Sequence, residues 1–402
     1  LHAGQFLQAP GQHMAAGQAG GNFGQGGNAE GGHGKWQSAR PLAPWGAGRE
    51  VGRKSGCKVG QGGGGHRTPE GAGAAALRIR WRAVLASAPH PMTQNPPVFE
   101  VLPRDLSAYR QGNVGIDYVH RFDSGQPGPH VLINALTHGN ELCGMVAATH
   151  LLDTGVRPRC GTLTISFANV AAYESFNPAR PFDSRQLVHN LNRVWSAAEL
   201  DGTADSPELA RARALRPVVA AADHILDIHS TSQDVEPFWA YPAYARNAAV
   251  AQAIGRPPVH LVMPQGLGSG TPLIQHGRHG LADGPGAALV VECGQHFLQS
   301  AADMATAVAL DFLAHFGMID AATDRPVPGP QRRYELLQTC MVRTPDFCFV
   351  RPLVGFEVFA KDALIATDGP HEIRALCDGC TVMMPTREPI VGREAVYLTR
   401  PL

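Results

Sequence analysis

The chain has 402 residues, of which 44% are hydrophobic and 17% charged, the composition of a folded globular protein with room for two domains. Its 34 basic and 34 acidic residues cancel, but residues 1–91 are basic overall and the rest of the chain is acidic. An acidic body argues against nucleic acid as a partner, and no stretch approaches the ~20 apolar residues of a membrane span.

Residues 1–91 have the composition of a disordered segment. They contain 22 of the 46 glycines and show no sustained apolar period. Such a segment buries too little apolar surface to offset the entropy lost on ordering. We therefore expect residues 1–91 to be a Gly-rich extension that is either disordered or not native, with Met92 as a natural start.

From about residue 100 to 320, short apolar runs alternate with alanine-rich helical stretches. The predicted strands are HVLINAL (130–136), GTLTISFANV (161–170), HILDIH (224–229) and AALVVECG (287–294), and the predicted helices cover 141–155, 206–222 and 300–317. This alternation predicts an α/β domain over 92–325, with a mostly parallel or mixed sheet covered by helices. After the proline-rich break at 324–333, the turn-punctuated sequence of 334–402 predicts a small C-terminal all-β domain.

Polar residues stand where three predicted strands end. His138 and Glu141 follow the first strand, His229 ends the third, and Glu292 lies near the end of the fourth. Alone, each has a plain structural explanation; Glu141, for example, suits the first turn of a helix. Ligand sites of α/β sheets, however, form at the carboxyl ends of strands. Two histidines and a carboxylate are the ligands of a catalytic zinc, and Glu292 adds a carboxylate that can accept a proton.

The segment SRQLVHNLNRVW (184–195) is polar, with little helical or strand pattern. It could be a solvated loop with ordinary surface arginines. Alternatively, Arg185 polarises a carbonyl group while Asn192 and Arg193 bind a carboxylate, for which the guanidinium fork is suited. Asp227, two residues before His229 on the same face of its strand, could hydrogen-bond a ligand histidine.

The motifs H-G-N-E, N-L-N-R, D-I-H-S and V-E-C-G, in this order, resemble the succinylglutamate desuccinylase/aspartoacylase family, which is related to the zinc carboxypeptidases. The resemblance covers roughly 100–402. It implies one Zn2+ per chain, and it gives the site residues these roles: metal ligands His138, Glu141 and His229; catalytic residues Glu292 and Arg185; substrate-binding residues Asn192 and Arg193.

The chain departs from the family's pattern in two respects. Asn190 stands where the family often has aspartate. The further arginine and tyrosine that contact the amino-acid part of the substrate in aspartoacylase have no evident counterpart, although Arg278 lies in the corresponding region. These departures leave the substrate, rather than the chemistry, undetermined.

These observations predict a zinc-dependent hydrolase that cleaves the amide bond of an N-acyl amino acid or a related small carboxylate. A carboxypeptidase acting on short peptides is the alternative among enzymes, and a catalytically silent zinc-binding protein is the alternative outside them. The eight cysteines lack the spacing of a disulfide framework, which predicts reduced thiols in a cytoplasmic protein. We expect the partner to be a small molecule, and the sequence is compatible with a homo-oligomer.

Overall fold

The computed structural model describes residues 97–322 and 329–402, so the predictions for residues 1–91 and for a start at Met92 lie outside the described residues. The strands are β1 (Val119–Asp123), β2 (His130–Ala135), β3 (Thr162–Phe167), β4 (His224–Thr231), β5 (Phe238–Pro242), β6 (Val259–Met263), β7 (Ala288–Gln295), β8 (Arg332–Met341), β9 (Cys348–Phe349), β10 (Val358–Phe359), β11 (Leu364–Asp368), β12 (His371–Arg374), β13 (Cys380–Met383) and β14 (Glu394–Pro401). The helices are α1 (Leu142–Asp153), α2 (Val170–Glu174), α3 (Ala197–Asp201), α4 (Pro207–Ala221), α5 (Ala245–Ile254) and α6 (Gln299–His315).

Eleven of these strands form one mixed sheet in the order β1-β3-β2-β4-β7-β5-β6-β8-β14-β13-β10. Strands β3, β2, β4 and β7 run parallel to one another, and so do β5, β6 and β8. The two parallel groups meet at the antiparallel pair β5–β7. The predicted α/β class, with a mostly parallel or mixed sheet covered by helices, is confirmed.

The two faces of the sheet carry separate apolar cores. In β4, Leu226 and Ile228 face a core that includes residues of α1, α5 and α6, whereas Ile225 faces a core that includes residues of α4. Side chains alternate along a strand, so Asp227 and His229 point to the same face as Ile225. Asp227 and His229 are almost completely buried there. Because the sheet is covered on both faces, its central strands have nearly continuous apolar sequences.

The predicted helices form where their end signals occur. Helix α4 begins after Ser206, whose side chain accepts a hydrogen bond from the backbone N–H of Leu209, and Pro207 occupies its first turn. Helix α1 stops before Gly155, whose φ of +67° is a left-handed conformation that glycine adopts without strain. Within the described residues, no helix is long and apolar enough to span a bilayer.

The C-terminal part of the described chain is built from strands, as predicted. Strands β8, β14, β13 and β10 extend the large sheet, while β12, β11 and β9 form a second sheet of three strands. A separate apolar core, with Phe349, Ile365 and Val396 among its members, lies between these strands. Because β6 pairs with β8, the large sheet runs without interruption from the α/β part into the C-terminal part. The predicted division into domains at 325 and 334 stays a prediction.

Candidate active site

The site lies at the carboxyl ends of β2, β4 and β7, three neighbouring parallel strands. His138 and Glu141 lie between β2 and α1, His229 is in β4, and Glu292 is in β7. His229 and Glu292 are directly paired in the β4–β7 register. The strand ends that the sequence analysis singled out are therefore adjacent in space.

The loop that carries His138 is fixed by its tight packing. Leu136, at the end of β2, has a φ of +57°, an uncommon conformation for a leucine, and it is completely buried. A Cβ atom on Gly139 would lie only 2.4 Å from backbone atoms of Ala172, Tyr173 and Ser184, so only glycine fits there. The N–H of Gly139 donates to the carbonyl of Arg185 at 3.1 Å, which holds the arginine beside the histidine loop.

The three predicted metal ligands converge on one point. The Nδ1 atom of His138 lies 2.7 Å from Oε1 of Glu141, and the Nδ1 atom of His229 lies 2.9 Å from Oε2 of the same carboxylate. One ligand atom from each of the three residues lies within 4.8 Å of the others, and all three side chains are buried. Two nitrogens and a carboxylate oxygen in this arrangement form a donor set suited to a divalent metal.

The outer nitrogen of each histidine ring is held by a neighbouring oxygen. The Nε2 atom of His138 lies 2.9 Å from Oδ1 of Asn190, and the Nε2 atom of His229 lies 2.9 Å from Oδ2 of Asp227. Such contacts fix the ring orientation of metal-binding histidines and leave the inner nitrogen free to coordinate. Asn190, where the family often has aspartate, keeps one oxygen acceptor for this contact but has an NH2 group in place of the second oxygen and carries no charge.

The hydrogen-bond partners of the histidine rings indicate whether these residues fit a metal ion. Its low pKa leaves His138 neutral, with one ring proton, yet both of its nitrogens face oxygen atoms, Oε1 of Glu141 and Oδ1 of Asn190. With that proton on Nε2, the lone pair of Nδ1 faces the carboxylate and the two repel each other. A cation among them turns the repulsion into attraction, so the arrangement fits a bound metal ion.

Without a cation, the buried cluster shifts the proton affinities of its members. Burial opposes ionisation of Glu141, but the two histidines outweigh it and hold the pKa of that carboxyl well below its usual range. Burial lowers the pKa of His138 to about 4, with a further contribution from Arg185. Burial also opposes protonation of His229, yet Asp227 and Glu141 outweigh it and raise the pKa of the ring well above its ordinary value. A proton on His229 therefore balances part of the negative charge.

Glu292 lies beside the three ligands and differs from them in its contacts. Its Oε2 atom is buried and has no hydrogen-bond partner among the described residues. Burial raises the pKa of Glu292 to about 8, because the ionised carboxylate is poorly solvated there. A carboxylate of this kind can exchange a proton near neutral pH.

Arg185 points into the same site. Its Nη1 atom lies 3.2 Å from Oε1 of Glu141, and its side chain lines the cleft that opens outward from the metal ligands. Asn192 lies on the other side of His229, with its Nδ2 atom 3.5 Å from the Nε2 atom of that ring. The amide oxygen of Asn192 accepts a hydrogen bond from the N–H of Leu273, so the side chain also anchors the loop after β6.

Arg193 is held by residues of the C-terminal strands. Its Nη2 atom donates to both oxygens of Glu394, at 2.7 and 2.9 Å, and its Nε atom donates to Glu394 at 3.0 Å. Ser269 also contacts Glu394, and the hydroxyl of Tyr397 donates to that carboxylate at 2.8 Å. In this structure, the fork that was predicted to hold a substrate carboxylate holds a carboxylate of the chain itself.

Two neighbouring spaces, which share Arg185, Arg193 and Tyr397 in their lining, adjoin these residues. An outer cleft of about 400 Å³ is lined by Arg185, His296 and residues 384–388 of the C-terminal part. An inner cavity of about 50 Å³ is lined by His138, His229 and Glu292 together with Arg193 and Tyr397, among others.

Sequence reasoning missed Glu394 and Tyr397. They lie in β14, about 200 residues from Arg193, and no local pattern marks them as site residues. Arg278 does not reach the site: it donates to the carbonyl of Ala222 and to Asp223, near the opposite ends of the strands.

Comparison with known proteins gives matches in both sequence and fold. The human N-acyl-aromatic-L-amino acid amidohydrolase (carboxylate-forming) is 32% identical to this chain over 120 residues, which are 27% of this chain and 36% of that protein. The match thus spans only about a third of the length of that relative. The succinylglutamate desuccinylases of Vibrio cholerae and Chromobacterium violaceum share the fold, each with a TM-score of 0.53 and 18% identity. The alignments cover 71% and 72% of this chain and 85% and 89% of those chains.

The family model described as the succinylglutamate desuccinylase/aspartoacylase catalytic domain matches residues 127–272. This stretch contains the H-G-N-E, N-L-N-R and D-I-H-S motifs and ends before Glu292. The resemblance that the motifs predicted is thereby confirmed: residues 127–272 match the catalytic domain of the succinylglutamate desuccinylase/aspartoacylase family.

Proposed function

We propose that the protein is a cytoplasmic zinc-dependent hydrolase that cleaves the amide bond of an N-acyl amino acid or a related small carboxylate. The observation that carries this proposal is the buried His138–Glu141–His229 donor set with Glu292 beside it. A protein that only binds metal needs no buried, unpartnered carboxylate next to the ligands. The matches to deacylases and to an amidohydrolase support the same reaction class.

In this proposal, His138, Glu141 and His229 would hold one zinc ion per chain, which when bound would polarise the amide carbonyl and lower the pKa of water. Glu292 accepts a proton as the oxygen of water forms a bond with the carbonyl carbon. Glu292 then returns that proton to the amide nitrogen as the carbon–nitrogen bond breaks. The products are a carboxylic acid and an amine, the proton of the acid passes to the amine to give a carboxylate and an ammonium ion, and Glu292 ends in its starting state.

The remaining predicted residues act on the substrate. Arg185 stabilises negative charge that develops on the carbonyl oxygen, because its guanidinium lies beside the metal ligands. Asn192 and Arg193 orient a substrate carboxylate. For Arg193, this contact uses the remaining N–H of Nη1, because Glu394 engages the Nη2 and Nε atoms and Nη1 also donates to the carbonyl of Asn192 at 2.7 Å.

A small substrate suits the cleft better than a peptide. Residues 384–388 and 392–394 of the C-terminal part line the cleft that leads to Arg185. This wall limits the length of chain that can approach the metal ligands. It therefore favours deacylation over carboxypeptidase action.

The test is hydrolysis by the zinc-loaded protein of acetyl-, formyl- and succinyl-amino acids and of dipeptides, with and without a chelator. We expect release of the free amino acid from at least one acyl class, abolished by the chelator and restored by zinc. Faster cleavage of dipeptides would support the carboxypeptidase alternative. A zinc-loaded protein that hydrolyses none of these compounds would support a silent zinc-binding protein.

A further inference from the structure

The inner cavity next to the metal ligands is apolar on one side. Eight apolar residues contribute to its lining, among them Ala240, Leu261, Met263, Leu267, Ile274 and Val290. These six side chains are buried and belong to the apolar core on the α4 side of the sheet. The cavity is thus a gap in that core that opens at the site.

The strand register places this apolar wall directly beside Glu292. Val290 precedes Glu292 by two residues, so both side chains lie on the same face of β7. Ala240 of β5 pairs with Val290, and Leu261 of β6 pairs with Ala240. A group held against the wall therefore lies next to the carboxylate proposed to protonate the departing amine.

Apart from the proposed metal ligands, the charged residues that line the cavity are already paired or are anionic. Arg185 contacts Glu141, and Arg193 binds Glu394 with its fork. Among the described residues that line this cavity, these are the two arginines, and lysine does not occur. An acidic side chain entering the cavity would lose its hydration beside Glu292 and Glu394 without gaining an unpaired arginine or lysine, and the metal proposed at the donor set would already face the carbonyl oxygen of the substrate. An apolar side chain loses nothing by desolvation.

The size of the cavity sets a second limit. Its volume is about 50 Å³, and an apolar cavity that holds benzene measures ~150 Å³. The space suits an aliphatic group of a few carbons and is too small for an aromatic ring without rearrangement of the lining.

We propose that this cavity receives the side chain of the amino-acid part of the substrate, and that it selects small aliphatic side chains over acidic and aromatic ones. The inference rests on the proposed function. Asn192 and Arg193, which are proposed to bind the carboxylate of the same amino acid, also line the cavity, and this places the amino-acid part there rather than the acyl part.

The first experiment measures kcat/KM of the zinc-loaded enzyme for N-acetyl derivatives of glycine, alanine, valine, phenylalanine and aspartate. A methylene group that fills an apolar pocket is worth ~10–200-fold in specificity. We expect kcat/KM to rise at least ~10-fold from the glycine to the valine derivative, and to fall at least ~10-fold from valine to phenylalanine or aspartate. A phenylalanine or aspartate derivative that matches valine overturns the proposal.

The second experiment enlarges the cavity with Met263→Ala. The matched control is Met318→Ala, because Met318 is equally buried but belongs to the core on the other face of the sheet. We expect Met263→Ala to raise the ratio of phenylalanine to valine turnover by ~10-fold or more, and the control to leave it unchanged. If Met263→Ala does not fold, Leu267→Ala tests the same wall. An unchanged ratio in a folded variant, or an equal change in the control, overturns the proposal.

Binding separates this proposal from the proposed function. If the zinc-loaded protein hydrolyses none of the acetyl-, formyl- and succinyl-amino acids, the proposed function fails, and calorimetry with 3-methylbutanoate and succinate then tests the cavity alone. Tighter binding of 3-methylbutanoate supports an aliphatic site, and loss of that preference in Met263→Ala locates it. Equal or tighter binding of succinate overturns the inference.

Discussion

Removing Glu394 should destabilise the protein strongly, because it leaves Arg193 with an unpaired charge. Only 12% of the Arg193 side chain and 21% of the Glu394 side chain are exposed. The pair therefore belongs with buried ion pairs, for which loss of one partner costs ~3–5 kcal/mol, rather than with surface pairs, which contribute ~0–1 kcal/mol. For Glu394→Ala, we expect a loss of about 3 kcal/mol or more in the free energy of unfolding.

Replacing both partners should cost much less than replacing one. In the double variant Arg193→Met/Glu394→Met, neither charge of the pair remains, so most of the stability should return. Denaturant unfolding of the wild type, both single variants and the double variant gives the coupling energy of the pair. At ~2.1 cal/mol/K of unfolding entropy per residue, a loss of about 3 kcal/mol corresponds to a decrease of ~4–5 °C in melting temperature for a chain of this size.

The pair should also depend on pH in a defined direction. Burial opposes ionisation of Glu394, but Arg193 outweighs it and lowers the pKa of the carboxyl to about 2, below the usual value of 4.5. A carboxyl with a lowered pKa stabilises the fold above its unfolded pKa and loses this effect as the pH falls through its folded pKa. The extra free energy of unfolding of the wild type over Glu394→Gln should thus be complete above about pH 4.5 and shrink towards pH 2.

A loss below ~1 kcal/mol in the free energy of unfolding of both single variants would refute the reasoning, because the pair would then behave as a solvent-screened one.

Three further predictions concern catalysis and the N-terminal residues. Glu292→Gln should lower kcat by ~10²–10⁴-fold with unchanged zinc content and melting temperature, measured by steady-state kinetics and elemental analysis; release of zinc would make Glu292 a ligand instead of a proton acceptor. Arg185→Ala should lower kcat by ~10²–10³-fold and keep zinc, because it removes one donor to the carbonyl oxygen; an unchanged kcat would contradict that role. A chain shortened to begin at Met92 should keep its melting temperature and activity; a clear decrease in either would show that residues 1–91 contribute to the folded body.

The position of the site at the carboxyl ends of the strands could be predicted, because the residues that form it stand beside recognisable strand patterns in the sequence. Strand β2, which precedes His138, and strands β4 and β7, which carry His229 and Glu292, are buried on both faces, so each reads as an apolar run that ends in polar residues. The parallel arrangement then brings those ends together. Strands β5 and β6 were not identified in the sequence, although they supply part of the apolar wall. Each is only five residues long, which is too short for a clear period.

The partners of Arg193 could not be predicted for a different reason. Glu394 lies 201 residues further along the chain, and it reaches the site because β14 pairs with β8, which in turn pairs with β6. Nothing near Glu394 in the sequence distinguishes it from a surface glutamate at the start of a strand. The contact between Arg193 and Glu394 depends on the pairing of strands that are far apart in the sequence, and local sequence patterns do not predict that pairing.

Metal content tests the central claim most directly. Elemental analysis should find about one zinc per chain in the wild type and much less in His138→Ala and in His229→Ala, because each variant lacks one of three protein ligands. The variant His279→Ala, which removes a buried histidine outside this donor set, should keep the metal. Full zinc occupancy in both ligand variants would contradict the account.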